Sequence, residues 1–370
     1  MKHYALLIAA MMVISSCSPG QDELTLVVGT YTTGNSHGIY TLKLSLKTGD
    51  LVLLDSTAAD NPSYLAVTTG QNLVYAVHES GPASALSAFS YSGEIGNLVL
   101  PGRKENDCNL KPLWRIENPG SDPCLVAADP AGRYVVTADY SSGSVTFYGM
   151  EGNGIERQFT FTGSGPDERR QRSSHVHCVV FSPDYRHLFA ADLGADRIYV
   201  FDKDSAGIPL LKDTVGLDPG SGPRHLVFNH TGNRAYLINE LSGMVSVFEH
   251  DKGKLNQIQS IVADTCQARG SAHIALSGDG RFLYVSKRLQ GDGLVIFRVN
   301  GADGRLTRAG YQPTGSHPRH FLITPDDRWV LVSCKNENHI EVFSRDVQSG
   351  LLNDTGKRMI LEQPVCIGVL

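Results

Sequence analysis

One unit recurs along this chain, and it constrains the fold more than any other feature. The segments NPSYLAVTTGQNLVYAVHES, DPCLVAADPAGRYVVTADYS, HVHCVVFSPDYRHLFAADLG, GPRHLVFNHTGNRAYLINEL, GSAHIALSGDGRFLYVSKRL and HPRHFLITPDDRWVLVSCKN share one pattern. Each reads as an apolar strand, a polar turn and a second apolar strand. In several units a third strand follows (SVTFYG, RIYVFDK, MVSVFEH, LVIFRVN, HIEVFSR), and a weaker fourth run closes the unit. Short runs rich in Val, Ile, Phe and Tyr between Pro, Asp and Gly turns are strand signals. Anchored on the residue that opens the first strand, the units start at Pro62, Pro123, Val176, Pro223, Ser271, Pro318 and Pro364, with spacings of 61, 53, 47, 48, 47 and 46 residues. Four strands in roughly 40–50 residues is the period of a propeller blade. The two longer spacings absorb insertions around GRKENDCNLKP and GSGPDERRQRSS.

The two ends of the repeat complete each other. QPVCIGVL supplies only a first strand, whereas LTLVVGTY, GIYTLKLS and LVLLDST read as a second, third and fourth strand. The expected fold is all-β: a seven-bladed β-propeller of four-stranded blades, closed by the C-terminal strand joining the N-terminal blade. Closure in this way hides the innermost strand edges. A sandwich or barrel does not account for a repeat of this period.

The first residues read as an export signal. Lys2 precedes an apolar run of ten residues, 5–14, too few for a helix that must have about 20 to span a bilayer. Ile14-Ser15-Ser16-Cys17 then resembles a lipobox, in which the cysteine is lipidated and becomes the first mature residue. The expected organisation is a lipoprotein signal peptide at 1–16, a tether at 17–24 and a single propeller domain at 25–370. The protein is expected to be exported, periplasmic or at the cell surface, and anchored through Cys17. The formal charge is −5, and removing the leader, which carries Lys2 and no acid, leaves −6. That balance argues against a nucleic-acid partner, whose phosphates demand clustered Lys and Arg. The remaining cysteines, Cys108, Cys124, Cys178, Cys266, Cys334 and Cys366, form no CxxC pair. Most sit in apolar runs and read as buried thiols. A monomer is expected.

Strand geometry selects candidate site residues. The first two strands of a blade are antiparallel, so the start of the first and the end of the second share one face of the disc. One residue past the anchor stand Ser63, Cys124, His177, Arg224, Ala272 and Arg319; seventeen past it stand Glu79, Tyr140, Leu193, Glu240, Arg288 and Lys335. His177, Arg224, Glu240 and Arg288 therefore fall on three consecutive units and converge on one sector of a solvated mouth. They are the catalytic candidates, with His175, Arg319, Glu79 and Lys287 as substrate-binding candidates. His225, His273 and His320, two past the anchor, are expected to alternate away from the channel. An ordinary interblade ion pair is the competing reading of Arg224 and Glu240.

VGTYT at 28–32, HVH at 175–177, SGPRH at 221–225, INE at 238–240, VSKR at 285–288 and SHPRHF at 316–321 make the chain resemble the lactonase family of seven-bladed propellers. That family includes 6-phosphogluconolactonases of the cycloisomerase type and carboxymuconate cyclases. The resemblance covers nearly all of the mature chain and implies an active site of one His, two Arg and one Glu on His177, Arg224, Glu240 and Arg288. It implies hydrolysis of a sugar lactone, a small anionic or sugar-lactone substrate, and no cofactor. Lys287 departs from the small or amide residue more usual at its position.

Opening a lactone needs a base for water and a positive group for the developing oxyanion. His177 is the base candidate, because imidazole titrates near neutrality. Glu240, beside Arg224, is expected to be acidified and to orient rather than abstract. No metal is implied for the protein: the mouth offers Arg and His instead of the oxygen ligands calcium prefers. Carboxymuconate-type cyclisation and a non-catalytic glycan- or protein-binding propeller are the alternatives. 6-Phosphogluconolactone is a cytoplasmic metabolite, so an export signal points to a different lactone.

Overall fold

The computed structural model describes residues 22–68, 70–91, 110–129, 132–204 and 207–370. Cys17, the signal peptide, Cys108 and most of the first insertion lie outside the described residues. Seven four-stranded antiparallel sheets account for the strands described. Blade 1 is closed as expected, in the order Pro364–Val369, Glu23–Thr30, Gly38–Ser45, Leu51–Ala58. The innermost strands of blades 2 to 7 are Leu65–Thr68, Pro123–Ala128, Val176–Phe181, Pro223–Phe228, Ser271–Leu276 and Pro318–Ile323. Each packs beside the next, and Pro364–Val369 packs beside both Leu65–Thr68 and Pro318–Ile323, so the ring is continuous.

Six of the seven innermost strands begin at the anchor residue read from the repeat; blade 2 begins at Leu65 instead of Pro62. There the Ser63 N–H turns back on the Asn61 carbonyl at 2.7 Å, and the ladder starts only after that turn. The cores lie between the blades. Phe147, Phe189, Phe201 and Phe248 belong to one apolar cluster, and Phe282, Phe297, Phe321 and Phe343 are fully buried in others. The outermost strands alternate exposed and covered residues, as in Leu352–Ile360.

Deleting residues 364–370 should therefore remove buried Val365, Cys366 and Ile367 and bare the edge of Glu23–Thr30. Burial of three such side chains is worth several kcal/mol, at about 1.5–3 kcal/mol for each large aliphatic group. The truncated chain is expected to lose its cooperative melt near the full-length Tm. A calorimetric scan that superimposes on the full-length one would refute the closure.

Candidate active site

A bulge shapes the start of each innermost strand in six blades. In blade 5, Pro223 pairs with Asn239 and His225 with Ile238, so Arg224 is the extra residue. The same shift frees Val365, Cys124, His177 and Arg319, and a related one lies between Ser271 and Ile274. A bulge bends its strand and re-aims the side chains beside it. Just before it, Asp122, Gly222, His317 and Gln363 adopt positive φ, between 45° and 62°, as does Asn61 (42°) at the equivalent position of blade 2, whose innermost strand has no bulge. The carbonyl at this position accepts the N–H of the residue leaving the second strand: Glu79, Tyr140, Glu240, Lys335 and Tyr31 each donate there. Tyr31 is thus the blade 1 equivalent of Glu240.

Arg224, Glu240 and Arg288 are in direct contact, and His177 lies beside them, packed against His225. Glu240 Oε2 accepts from Arg224 Nε at 2.8 Å and lies 3.4 Å from Arg288 Nη2. Its Oε1 is bound by Arg170 Nη2 at 2.8 Å. Arg170 comes from the second insertion, which the repeat left unassigned. Buried Gln171 pins that insertion, donating to Leu193 O and Asp196 Oδ1 at 2.8 Å each. Arg224 spends Nη1 on Ala272 O at 2.6 Å and on His225 Nε2 at 3.3 Å. Its Nη2 has no hydrogen-bond partner among the described residues. Arg288 donates through Nε to Gly270 O at 2.8 Å and meets His317 Nε2 at 3.2 Å. His177 Nδ1 lies 3.6 Å from the Cys124 thiol, and Tyr140 and His225 pack edge-on to its ring.

The cluster is not solvated. Relative exposures of 1% for Arg224, 4% for Glu240, and 5% each for His177 and Arg288 place it inside the mouth, where charges interact strongly. Burial alone would raise the Glu240 carboxyl; Arg288, Arg224 and Arg170 outweigh it and hold it far below the carboxylate range. Burial, then Arg224, pushes the His177 imidazole well below its usual value, so it is neutral at pH 7. Burial and the neighbouring guanidiniums bring Arg288 down to about 9.

Of the substrate-binding candidates, Glu79 and Arg319 form a second cluster. Glu79 Oε2 accepts from the Tyr31 hydroxyl at 2.8 Å and lies 3.8 Å from Arg319 Nη2. Arg319 and Lys335 both stand over the Tyr31 ring, at 5.4 and 5.3 Å. His175 stacks on Tyr140, whose hydroxyl is 3.3 Å from Arg170. Lys287 does not join the site. It is buried in the opposite direction, 3.4 Å from Asp264, 3.3 Å from Cys266 and over the Tyr311 ring. Strand alternation explains the difference, because Lys287 and Arg288 are consecutive.

His225, His273 and His320 do not turn away from the channel as strict alternation requires. His273 stacks on His320 with centroids 4.0 Å apart, His225 meets His273 at 5.3 Å, and Tyr64 of blade 2 contacts His225 and His320. Side chains from blades 2, 5, 6 and 7 thus meet across the ring, next to Arg224. The bulge breaks simple alternation, so neighbouring positions both face inward. Since Arg224 can only donate, His225 Nε2 accepts, and His225 Nδ1–H donates to His273 Nδ1 at 3.0 Å.

Burial depresses His177, His225, His273 and His320 alike. In the unfolded chain they titrate near 6.5, so below that pH the unfolded state binds more protons. Stability is therefore present above about pH 6.5 and is lost as the pH falls, at about 1.4 kcal/mol per pH unit for each imidazole kept neutral. Urea midpoints should fall steeply between pH 7.5 and 5.5. Equal midpoints would contradict the buried neutral cluster.

Every blade thus contributes to one mouth, where Arg170, Arg224, Arg288, Arg319 and Lys335 outnumber Glu79 and Glu240. Residues 25–369 match the family described as Lactonase, 7-bladed beta-propeller. The chain is 33% identical over 339 residues to a 6-phosphogluconolactonase of Formosa agariphila, covering 88% of this chain and 93% of that one. A Bacteroides fragilis crystal structure superimposes with a TM-score of 0.89 at 41% identity, covering 95% of this chain and 99% of that one. The periplasmic gluconolactonase of Pseudomonas aeruginosa gives 0.86 at 31% identity, covering 94% and 99%. The chain belongs to the lactonase family of seven-bladed β-propellers.

Proposed function

We propose that the chain hydrolyses a sugar lactone at this mouth. The observation that carries the reading is Arg224: a fully buried guanidinium, electrostatically coupled to a neutral His177, with Nη2 free for a ligand oxygen. A water next to His177 gives its proton to Nε2 as its oxygen attacks the lactone carbonyl carbon. The oxyanion that forms faces Arg224 and Arg288. When the carbonyl re-forms, the ring C–O bond breaks, and the ring oxygen takes the proton back from His177 as the new hydroxyl. Glu240 stays ionised throughout and holds Arg224, Arg288 and Arg170 in place. Arg319 and Lys335, on the far side of the mouth, suit a second anionic or hydroxyl group of the substrate.

A metal-free turnover screen across sugar lactones, with and without phosphate, tests this. Release of one acid equivalent per lactone supports it. Formation of a lactone from a muconate-type dicarboxylate instead would make the enzyme a cycloisomerase. Tight sugar binding without turnover would favour a binding propeller.

The chain is also read as a lipoprotein on Cys17, acting outside the cytoplasm. The P. aeruginosa relative is described as periplasmic, which fits an exported, unphosphorylated lactone as substrate. Cys17→Ala is expected to move the protein from the membrane fraction to the soluble extract. Unchanged partitioning of that variant would rule out the anchor.

A further inference from the structure

Blade 7 carries a second group of chemically active side chains, apart from the mouth cluster. Its second strand, Trp329–Cys334, and third strand, His339–Arg345, are joined by the turn Lys335–Glu337. Register places Cys334 directly opposite His339 and Val332 opposite Glu341. Residues two apart on a strand share a face, so Cys334, His339 and Glu341 project together, and the turn adds Glu337. One ligand atom from each of Cys334, His339 and Glu341 lies within 4.8 Å of the others. His339 Nε2 is 3.4 Å from Glu341 Oε1 and 3.6 Å from Glu337 Oε2.

We propose that Cys334, Glu337, His339 and Glu341 form a binding site for a zinc-like divalent cation. Thiolate, imidazole and carboxylate are the zinc ligand set, with bonds of about 2.0–2.3 Å. Donors at the corners of such a tetrahedron are about 3.3–3.8 Å apart, the range of both His339 separations. The centre of the group is open because residue 315 is glycine. A Cβ there would collide with Glu337 Oε2 and lie 2.9 Å from His339 Nε2 and 3.1 Å from Cys334 Sγ. Charge favours a cation too. Two carboxylates and a thiolate carry three negative charges, and Arg358, 3.0 Å from Glu341 Oε1, is shared with the Asp354 carboxylate, so a divalent cation supplies positive charge that the group otherwise lacks. The Gly315 N–H, 3.0 Å from Glu341 Oε2, orients that carboxylate from behind.

The site would brace ring closure. Asn338, inside the ligand run, accepts the Leu361 N–H on its carbonyl at 2.9 Å and the Gln363 N–H on its side chain at 3.0 Å. Those residues lead directly into the closing strand Pro364–Val369.

The test uses the full mature chain, stripped with chelator and titrated with Zn2+ against a chromophoric competitor, then with Co2+ followed by absorption. One Zn2+ per chain is expected, together with a tetrahedral Co2+ spectrum showing a thiolate charge-transfer band, and a higher Tm with metal than without. His339→Ala and Gly315→Ala should each weaken binding by at least about 100-fold, the upper range for loss of a supporting partner. Both leave buried Cys334 in place, and their circular dichroism and metal-free Tm report folding. Cys334→Ser should abolish the charge-transfer band. Absence of stoichiometric uptake by the wild-type chain would overturn the proposal. So would binding unchanged in both His339→Ala and Gly315→Ala, or a band that survives Cys334→Ser and follows exposed Cys266 instead.

Discussion

Replacing His177 with alanine is expected to lower kcat on the best lactone by about 100–10,000-fold, the usual contribution of a positioned general base. The size of the effect follows from the environment. Only the neutral imidazole can take a proton from water, and burial with Arg224 alongside keeps His177 neutral well below its ordinary titration range. The sign of that shift sets the pH profile. A depressed pKa moves the acid limb of the wild-type rate downward, so activity should persist through pH 6.5, where an unperturbed histidine would already be half protonated. Glu240 cannot replace it, since three guanidiniums hold its carboxylate far below the range useful to a base. His177→Asn keeps a polar side chain in the buried space and separates loss of the base from loss of packing. Wild-type kcat in both folded variants would remove His177 from the mechanism.

The repeat made much of this legible. Anchors spaced by one blade located the starts of six innermost strands, and the antiparallel register then delivered His177, Arg224, Glu240 and Arg288 to one rim. What escaped the sequence did so for identifiable reasons. Tyr31 occupies the Glu240 position of blade 1, but that equivalence exists only after Pro364 pairs with Thr30 across the closed ring. Arg170 lies in an insertion, where no repeat position predicts a partner; its place depends on the tertiary anchoring of Gln171. Strict alternation sends His225, His273 and His320 outward, and one extra residue in the strand suspends it. Lys287 shows the converse. There alternation holds, and the residue next to Arg288 points to Asp264 and away from the Arg224–Glu240 cluster.

Burial is the property the sequence concealed most, and it changes what substitution of Arg224 should do. At a wet mouth, alanine would cost binding and little else. At 1% exposure, removing the guanidinium also withdraws a partner from buried Glu240, a class of change that costs about 3–5 kcal/mol when the remaining charge is left alone. Glu240 is not left alone, because Arg170 and Arg288 still hold it, so Arg224→Ala should sit below that range and stay folded with a lowered Tm. Its catalytic loss should be larger in proportion. Removing one oxyanion donor typically costs about 100–1000-fold in turnover, and here the donor's charge goes with it. Arg224→Lys restores the charge but not the fork that reaches Glu240, Ala272 and a ligand at once. It should therefore recover Tm more than kcat. The opposite pattern, with Arg224→Ala as active as wild type and only less stable, would identify the cluster as an interblade brace and move the binding-propeller reading ahead of the hydrolase.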